Sequence, residues 1–120
     1  MAWGVQALDT TDLILDKARQ LEDLGIDFFC LKDMAGLLSP YVAYEIIKRL
    51  KECLNVPIHP HTHDTFGMGA MTCLKGIEAG VDIIDAVLSP FSERTEQPPT
   101  EGLVLILKGT SYDAGLDLTF

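Results

Sequence analysis

The sequence predicts an α/β fold in which helices alternate with parallel β-strands. Helix-like and strand-like segments follow one another, and Phe28, Ile58 and Ile83 mark three strands at intervals of 30 and 25 residues. Such intervals suit a strand followed by a crossover helix, which makes successive strands parallel. The strands are short, nearly continuous apolar runs, as in a sheet covered by helices. Polar residues follow each strand, where parallel α/β folds place their functional sites.

The first predicted helix begins at the N-cap candidates Asp9-Thr10-Thr11-Asp12. Leu13, Ile14, Leu21 and Leu24 recur there at helical spacing. Gly25 is expected to end the helix, because glycine is the usual residue after a helical C-terminus. The first strand then covers residues 26–31 and ends at Lys32-Asp33.

The second helix is predicted to begin with Ser39 as N-cap and Pro40 at its first position. One face of this helix is apolar and is expected to be buried: Val42, Ala43, Ile46, Ile47 and Leu50. The second strand opens at residues 56–58 and ends at His63-Asp64.

The sequence after residue 68 predicts two more helices and one more strand. A third helix runs from about Gly69 to Glu78 and stops at Gly80, and a third strand covers residues 81–87. A fourth helix follows residues 98–101 and carries Leu103, Ile106 and Leu107. The polar stretch between this strand and this helix is longer than most connections, and long loops after strands often carry function.

Composition and charge exclude several classes of function. Acidic residues outnumber basic ones 18 to 9, so the net charge of −9 argues against nucleic acid or an anionic membrane surface as the main partner. No apolar run reaches the roughly 18 residues of a membrane span, and the N-terminus lacks the pattern of a signal peptide. Cys30, Cys53 and Cys73 form no CxxC motif, which favours reduced thiols in a cytoplasmic protein.

Three histidines alternate along the second strand. Since side chains of a strand point to opposite faces in turn, His59, His61 and His63 share one face. Two imidazoles at positions i and i+2 near a strand end can both reach one metal ion at about 2.1 Å. Hydrogen bonds from these rings to loop carbonyls are the alternative, and the spacing alone leaves both open.

Lys32 ends the first strand behind an apolar run. Partial desolvation there favours the neutral amine, which can add carbon dioxide and form a carbamate whose oxygens bind metals. An ion pair with Asp33 or Asp64 is the alternative, and for the lysine taken alone it is the better one.

Several segments together resemble the carboxyltransferase domain of biotin-dependent enzymes. They are Cys30-Leu31-Lys32-Asp33-Met34-Ala35-Gly36-Leu37-Leu38 followed by Pro40, His61-Thr62-His63-Asp64-Thr65 with Gly67, Ala79-Gly80-Val81-Asp82 with Asp85, and Gln97-Pro98. The similarity extends from about Asp23 to Leu118. It is greatest to the carboxyltransferase subunit of two-subunit pyruvate carboxylase and the α-subunit of oxaloacetate decarboxylase, followed by the transcarboxylase subunit.

This resemblance implies a (β/α)₈ barrel, of which residues 1–120 would form about three to four βα units as a partial carboxyltransferase domain. It further implies a divalent metal, with Zn²⁺ favoured over Mn²⁺ or Co²⁺, bound by His61, His63 and the carbamate of Lys32. The metal would polarise the carbonyl of pyruvate or oxaloacetate and stabilise the enolate. The carboxyl group would move to or from biotin, which another domain or chain carries.

The resemblance also assigns supporting roles. Asp33 and Asp64 are expected to orient a ligand or loop behind the metal, and Gln97 is expected in the loop that meets the substrate. His59 has no ligand role that the resemblance transfers, so we expect it to be packed or hydrogen-bonded. Glu93-Arg94 and Glu96 depart from the family pattern and alter the loop over the site.

The family pattern places an aspartate ligand before Met1 and a catalytic threonine after Phe120. We therefore expect an internal part of a barrel that needs further segments or partner chains, within a homo-oligomer. Two other functions stay open. One is an acyl-CoA lyase or synthase of the same superfamily, which shares the histidine motif but lacks the strand end carrying Lys32. The other is a catalytically inactive structural fragment.

Overall fold

The computed structural model describes residues 2–4, 10–92 and 95–118. Its three strands form one parallel sheet in the order β1-β2-β3, so the predicted α/β class is confirmed. The elements in chain order are β1 (Ala2–Gly4), α1 (Thr11–Asp23), β2 (Phe29–Asp33), α2 (Pro40–Cys53), β3 (Ile58–Thr62), α3 (Gly69–Ala79), a 3₁₀ turn (Ser89–Phe91) and α4 (Thr100–Leu107).

The helices begin and end where local chemistry allows. Thr10 is the N-cap of α1, and its Oγ1 accepts a hydrogen bond from the Leu13 amide at 3.3 Å. Asp9, another of the N-cap candidates, lies outside the described residues. Pro40 opens α2 as predicted, because its missing N–H is not needed in the first turn. Gly80 ends α3 with a φ of 97°, which glycine adopts without strain.

The two faces of the sheet have different environments. Phe29, Leu31 and Ile58 point toward the helices and are fully buried. Apolar residues of α1 and α2 complete this core: Ile14, Leu15, Ala18, Ala43, Ile46, Ile47 and Leu50. Val42 was predicted in this set but is 47% exposed, because it lies at the edge of the apolar stripe of α2.

The opposite face of the sheet carries the residues predicted to be functional. Parallel pairing places Cys30 beside His59 and Lys32 beside His61. Paired residues point to the same side of a sheet, so all four side chains lie on the face away from the core. His59 and His61 are half-buried between the buried residues Ile58, Pro60 and Thr62, as strand alternation predicts.

The predicted third strand over residues 81–87 is wrong. The amides of Asp82 and Ile83 both donate to Ile58 O, at 3.1 and 3.3 Å, and the Asp82 carboxylate accepts from Ile58 N at 2.8 Å. A side chain thus takes the amide that a neighbouring strand would use, and no regular ladder forms among these residues. Beyond Ile83 the segment forms no regular element, and its one strand-like pairing is the isolated bridge between Val87 and Pro99.

The structure adds a strand that the sequence did not predict. β1 has only three residues and pairs with β2, with Ala2 opposite Cys30 and Gly4 opposite Lys32. The fourth predicted helix is confirmed as α4, which buries Leu103 and Leu107 and exposes Ile106. None of the helices described is both long and apolar enough to cross a membrane.

Candidate functional site

The carboxyl ends of β2 and β3 bring two predicted site residues side by side. Lys32 is the register partner of His61, and both side chains are half-buried on the face away from the helices. His63 follows β3 directly, and its amide donates to Asp33 O at 3.1 Å. Consequently the strand pairing continues one residue beyond β3 and holds the second histidine next to the first.

Both imidazoles are anchored through Nδ1. His61 Nδ1 lies 2.5 Å from Asp85 Oδ2, and His63 Nδ1 donates to the carbonyl oxygen of Thr95. A carboxylate and a carbonyl only accept, so each neutral ring carries its proton on Nδ1 and its lone pair on Nε2. The hydrogen bond to the loop carbonyl was the alternative to metal binding; for His63 it instead leaves Nε2 available as a ligand.

The two free lone pairs converge. His61 Nε2 and His63 Nε2 lie 3.3 Å apart, with the rings edge to face at 65°. Two imidazole nitrogens bound at about 2.1 Å to one tetrahedral ion would be about 3.4 Å apart. The separation of the two nitrogens therefore fits two ligands of one zinc-like ion.

Gln97 completes this arrangement from the loop before α4. Its Nε2 lies 3.2 Å from His61 Nε2 and 3.3 Å from His63 Nε2, where the amide can donate one hydrogen to each lone pair. The loop itself is held by Ser92 Oγ, which donates to the Gln97 carbonyl at 3.1 Å. A donor group thus lies at the point where a cation would bind.

Asp85 belongs to the site; the resemblance included this residue but assigned it no role. Burial favours the protonated form of its carboxyl group, but the close contacts with His61 and His59 outweigh burial and hold the pKa of Asp85 below its usual range. The residue lies in the segment that was predicted to be a strand, where alternation could not show which way it pointed. Its spacing from the histidines in the chain carries no signal, because tertiary folding alone brings it to His61.

The two aspartates predicted to support the metal bind other groups. Asp33 points to the opposite face of β2, where its carboxylate accepts from the amides of Leu37 and Leu38 at 2.9 Å each. Asp64 Oδ1 accepts from the Gly69 amide at 2.5 Å, at the start of α3. Both carboxylates shape the loops around the histidines and do not touch the imidazoles.

Lys32 is accordingly not paired with either aspartate, which removes the ion pair considered from the sequence. Across the described residues, no group of three or more His, Cys, Asp and Glu side chains is arranged to hold a metal ion. Among the residues that the structure describes, two such side chains, His61 and His63, converge on one point. Lys32 lies beside His61 on the neighbouring strand.

The loop over the site begins after the 3₁₀ turn. Glu96 is exposed, and its carbonyl accepts from the Asp64 amide at 2.8 Å, which fastens the loop to the end of β3. Glu93 and Arg94, the other departures from the family pattern, lie outside the described residues.

Comparisons with known proteins identify relatives of this chain. A pyruvate carboxylase subunit of Methanocaldococcus jannaschii is 51% identical over 118 residues, which are 98% of this chain and 21% of that protein. The 5S subunit of methylmalonyl-CoA carboxyltransferase from Propionibacterium freudenreichii subsp. shermanii is 38% identical over 119 residues, or 98% of this chain and 24% of that protein. The chain thus spans about a fifth to a quarter of the length of these relatives.

A solved structure shows the same arrangement of the chain. The carboxyl transferase domain of Rhizobium etli pyruvate carboxylase, determined with pyruvate, superposes with a TM-score of 0.94 at 38% identity. The match covers 97% of this chain and 21% of that one. The same domain determined with pyruvate and biocytin gives a TM-score of 0.93. Residues 7–120 match the HMGL-like family, and the chain belongs to that family.

Proposed function

We propose that this chain supplies part of the active site of a biotin-dependent carboxyltransferase that acts on pyruvate or oxaloacetate. The observation that carries this proposal is the convergence of His61 Nε2 and His63 Nε2 at 3.3 Å beside Lys32. The similar proteins support it, since they are named as carboxylases and a carboxyltransferase, and a solved relative holds pyruvate and biocytin.

The ligands of the proposed ion are residues of this chain. His61 and His63 would hold a divalent ion through Nε2, and Lys32 would hold it through a carbamate oxygen. Imidazole and carboxylate-like oxygens suit Zn²⁺ best and also Mn²⁺ or Co²⁺. When bound, such an ion supplies Lewis acidity to the carbonyl oxygen of a 2-oxo acid.

The neighbouring side chains suggest how a substrate is held. Gln97 offers two N–H donors at the mouth of the site, and both are free for a substrate oxygen once the imidazoles bind a cation. Asp33 and Asp64 support the site at a distance by fixing the loops after β2 and β3. Biotin would arrive on a carrier domain of the same protein or of a partner chain.

We infer that the three strands are consecutive strands of a (β/α)₈ barrel. They are neighbours in chain order, whereas an open doubly wound sheet reverses its strand order at a switch point. The core and its helices lie on one face, and the candidate site lies at the carboxyl ends of the strands, as in barrel enzymes. Residues 1–120 would then be about three to four βα units of one carboxyltransferase domain, within a homo-oligomer.

Metal analysis and decarboxylation of oxaloacetate test the proposal, with the protein at its full natural length and biocytin as the carboxyl acceptor. His61→Ala and His63→Ala should each abolish stoichiometric zinc and lower turnover at least about 100-fold. The double variant should be no worse than either single one, because both ligands hold one ion. Asp12→Ala, which removes an exposed ion pair with Arg49, is the matched control.

Full zinc occupancy in both histidine variants would reject the metal site. Cleavage of an acyl-CoA without any effect of biocytin would favour the lyase or synthase alternative. Zinc binding with neither activity would favour the inactive structural role.

A further inference from the structure

Asp85 and His59 lie behind the two converging imidazoles, and the proposed reaction gives neither a role. Asp85 Oδ2 is 2.5 Å from His61 Nδ1, and Asp85 Oδ1 is 2.9 Å from His59 Nε2. The two oxygens of one carboxylate therefore join two histidines that are i and i+2 on β3.

We propose that Asp85 is a positioning residue that keeps the lone pair of His61 on Nε2, and that His59 in turn holds Asp85 in place. The expected effect on metal binding rests on the function proposed above. The effect on the tautomer of His61 does not, because it concerns the protein without metal.

The contact of Asp85 determines the tautomer. His61 Nδ1 faces a carboxylate oxygen, which accepts a hydrogen bond and cannot donate one. The ring must then carry its proton on Nδ1, and Nε2 faces His63 and Gln97 with its lone pair. Such a carboxylate both orients a ligating imidazole and makes it a better electron donor.

His59 is confined next to the same carboxylate. Its ring centroid lies 5.9 Å from that of Phe28, with the planes tilted by 46°. Its Nε2 is fully buried and has no hydrogen-bond partner in the part of the chain that the structure describes. The nitrogen has the distance of an ion pair to Asp85 Oδ1 but not the alignment of a hydrogen bond, and a small rotation of the ring would align the two atoms.

The cost of leaving a buried nitrogen unpaired explains why the pair should form. A buried N–H without an acceptor is costly, and Asp85 Oδ1 is the oxygen that the structure brings within reach. Asp85 has no regular strand around it to fix its position, since the segment after Ile83 forms no ladder and pairs only through the isolated bridge at Val87. The contact with His59 on β3 would therefore fix the position of the Asp85 side chain, which strand pairing of residue 85 does not fix.

Nitrogen-15 NMR of histidine-labelled, metal-free protein at its full natural length tests the first step. His61 should show a protonated Nδ1 and an unprotonated Nε2 in the native protein. Asp85→Asn should shift His61 toward protonation at Nε2, because the amide can present its NH₂ group to Nδ1. Thermal unfolding of each variant separates this change from a loss of fold, since a merely structural role would lower Tm and leave the tautomer unchanged.

Zinc titration against a chelator tests the second step. Asp85→Asn should weaken zinc binding about 10- to 100-fold, the usual effect of removing such a partner. His59→Leu should weaken zinc binding less than Asp85→Asn does. His59→Gln, which keeps an N–H donor, should retain most of the native zinc affinity. Because His59 acts through Asp85, adding His59→Leu to Asp85→Asn should cause no further loss.

Each part can fail separately. An unchanged His61 tautomer together with unchanged zinc affinity in Asp85→Asn would overturn the role of Asp85. Additive losses in the double variant would overturn the role of His59. A third outcome is that the native protein binds no zinc, but Asp85→Asn still changes the tautomer of His61. That outcome would contradict the proposed metal site and support the positioning role.

Discussion

The carboxylate of Asp33 accepts a hydrogen bond from Thr62 Oγ1 at 3.0 Å, which joins the carboxyl ends of β2 and β3. The same carboxylate accepts from the amides of Leu37 and Leu38, and the side chain is fully buried. Three donors thus converge on one acceptor directly behind the candidate site. This contact fixes the loop after β2 and the strand end that precedes His63.

Replacing Asp33 should therefore lower stability more than replacing its partner. In Asp33→Asn the amide NH₂ must face one of three donors, so we expect a loss of about 3 kcal/mol in the free energy of unfolding. Thr62→Val removes a single hydrogen bond and should cost about 1 kcal/mol. Urea unfolding measures both, and Asp16→Asn on the exposed face of α1 serves as control. Equal losses in the two variants would contradict the convergence of three donors.

Gly36→Ala should disturb the loop that carries the second histidine. Gly36 has a φ of 64°, and a Cβ built there would lie 2.5 Å from the carbonyl oxygen of His63. Gly25 also has a positive φ, of 82°, but a Cβ there meets nothing within 4 Å. Gly25→Ala should thus cost about 1 kcal/mol, and Gly36→Ala clearly more, with weaker zinc binding. Similar unfolding midpoints for the two variants would show that the close approach to His63 is unimportant.

Gln97→Glu should strengthen zinc binding by about tenfold or more. The amide donates to the two imidazole lone pairs that a metal needs, whereas a carboxylate at the same place can itself bind the ion. Gln97→Leu, which neither donates nor ligates, is the matched comparison. Competition titration with a zinc chelator measures all three proteins. Weaker binding in Gln97→Glu than in Gln97→Leu would place the side chain elsewhere when metal is bound.

Lys32 should take up carbon dioxide when zinc is bound. The neutral amine attacks the carbon of CO₂ and releases one proton, and a neighbouring cation stabilises the resulting carbamate. Carbon-13 NMR with labelled bicarbonate should show one carbamate signal per chain in the zinc-loaded, full-length protein. Lys32→Ala should lose this signal, and Lys48→Ala, which alters an exposed lysine on α2, should keep it. Retention of the signal in Lys32→Ala would assign it to another amine.

Cys73 should resist alkylation in the folded protein. Burial, reinforced by the negative charges of Asp85 and Asp64, raises the pKa of the Cys73 thiol to about 12. Native protein at pH 9 should therefore alkylate at Cys53, which is half-buried at the end of α2, far faster than at Cys73. Rapid labelling of Cys73 without unfolding would contradict this prediction.

The same shift predicts how stability depends on pH. The pKa of Cys73 is higher in the folded chain than the ordinary value of 9.0. The buried, protonated Cys73 thiol thus makes its full contribution to the free energy of unfolding below about pH 9. This contribution is lost as the pH rises toward 12. Urea unfolding between pH 8 and pH 10.5 should show this loss in the native protein, and Cys73→Ala should lack that part of it.

The order of the four helices and of β2 and β3 follows from the sequence because it rests on local signals. Pro40 opens α2, Gly80 ends α3, and apolar residues recur at the spacing of each element. The alternation of His59 and His61 along β3 likewise needs only the geometry of one strand. These features depend on neighbours in the chain, so a single sequence contains them.

Tertiary structure decided what depends on distant residues. The segment 81–87 has the composition of a strand, but Asp82 binds the backbone of Ile58 with its side chain and prevents a ladder. The sequence also could not show that Asp33 faces away from Lys32's side of the sheet to cap a loop, or that Asp85 meets His61. Asp85 and His61 are 24 positions apart, and they meet only because the chain folds back on itself. Local sequence patterns carry no information about such distant contacts.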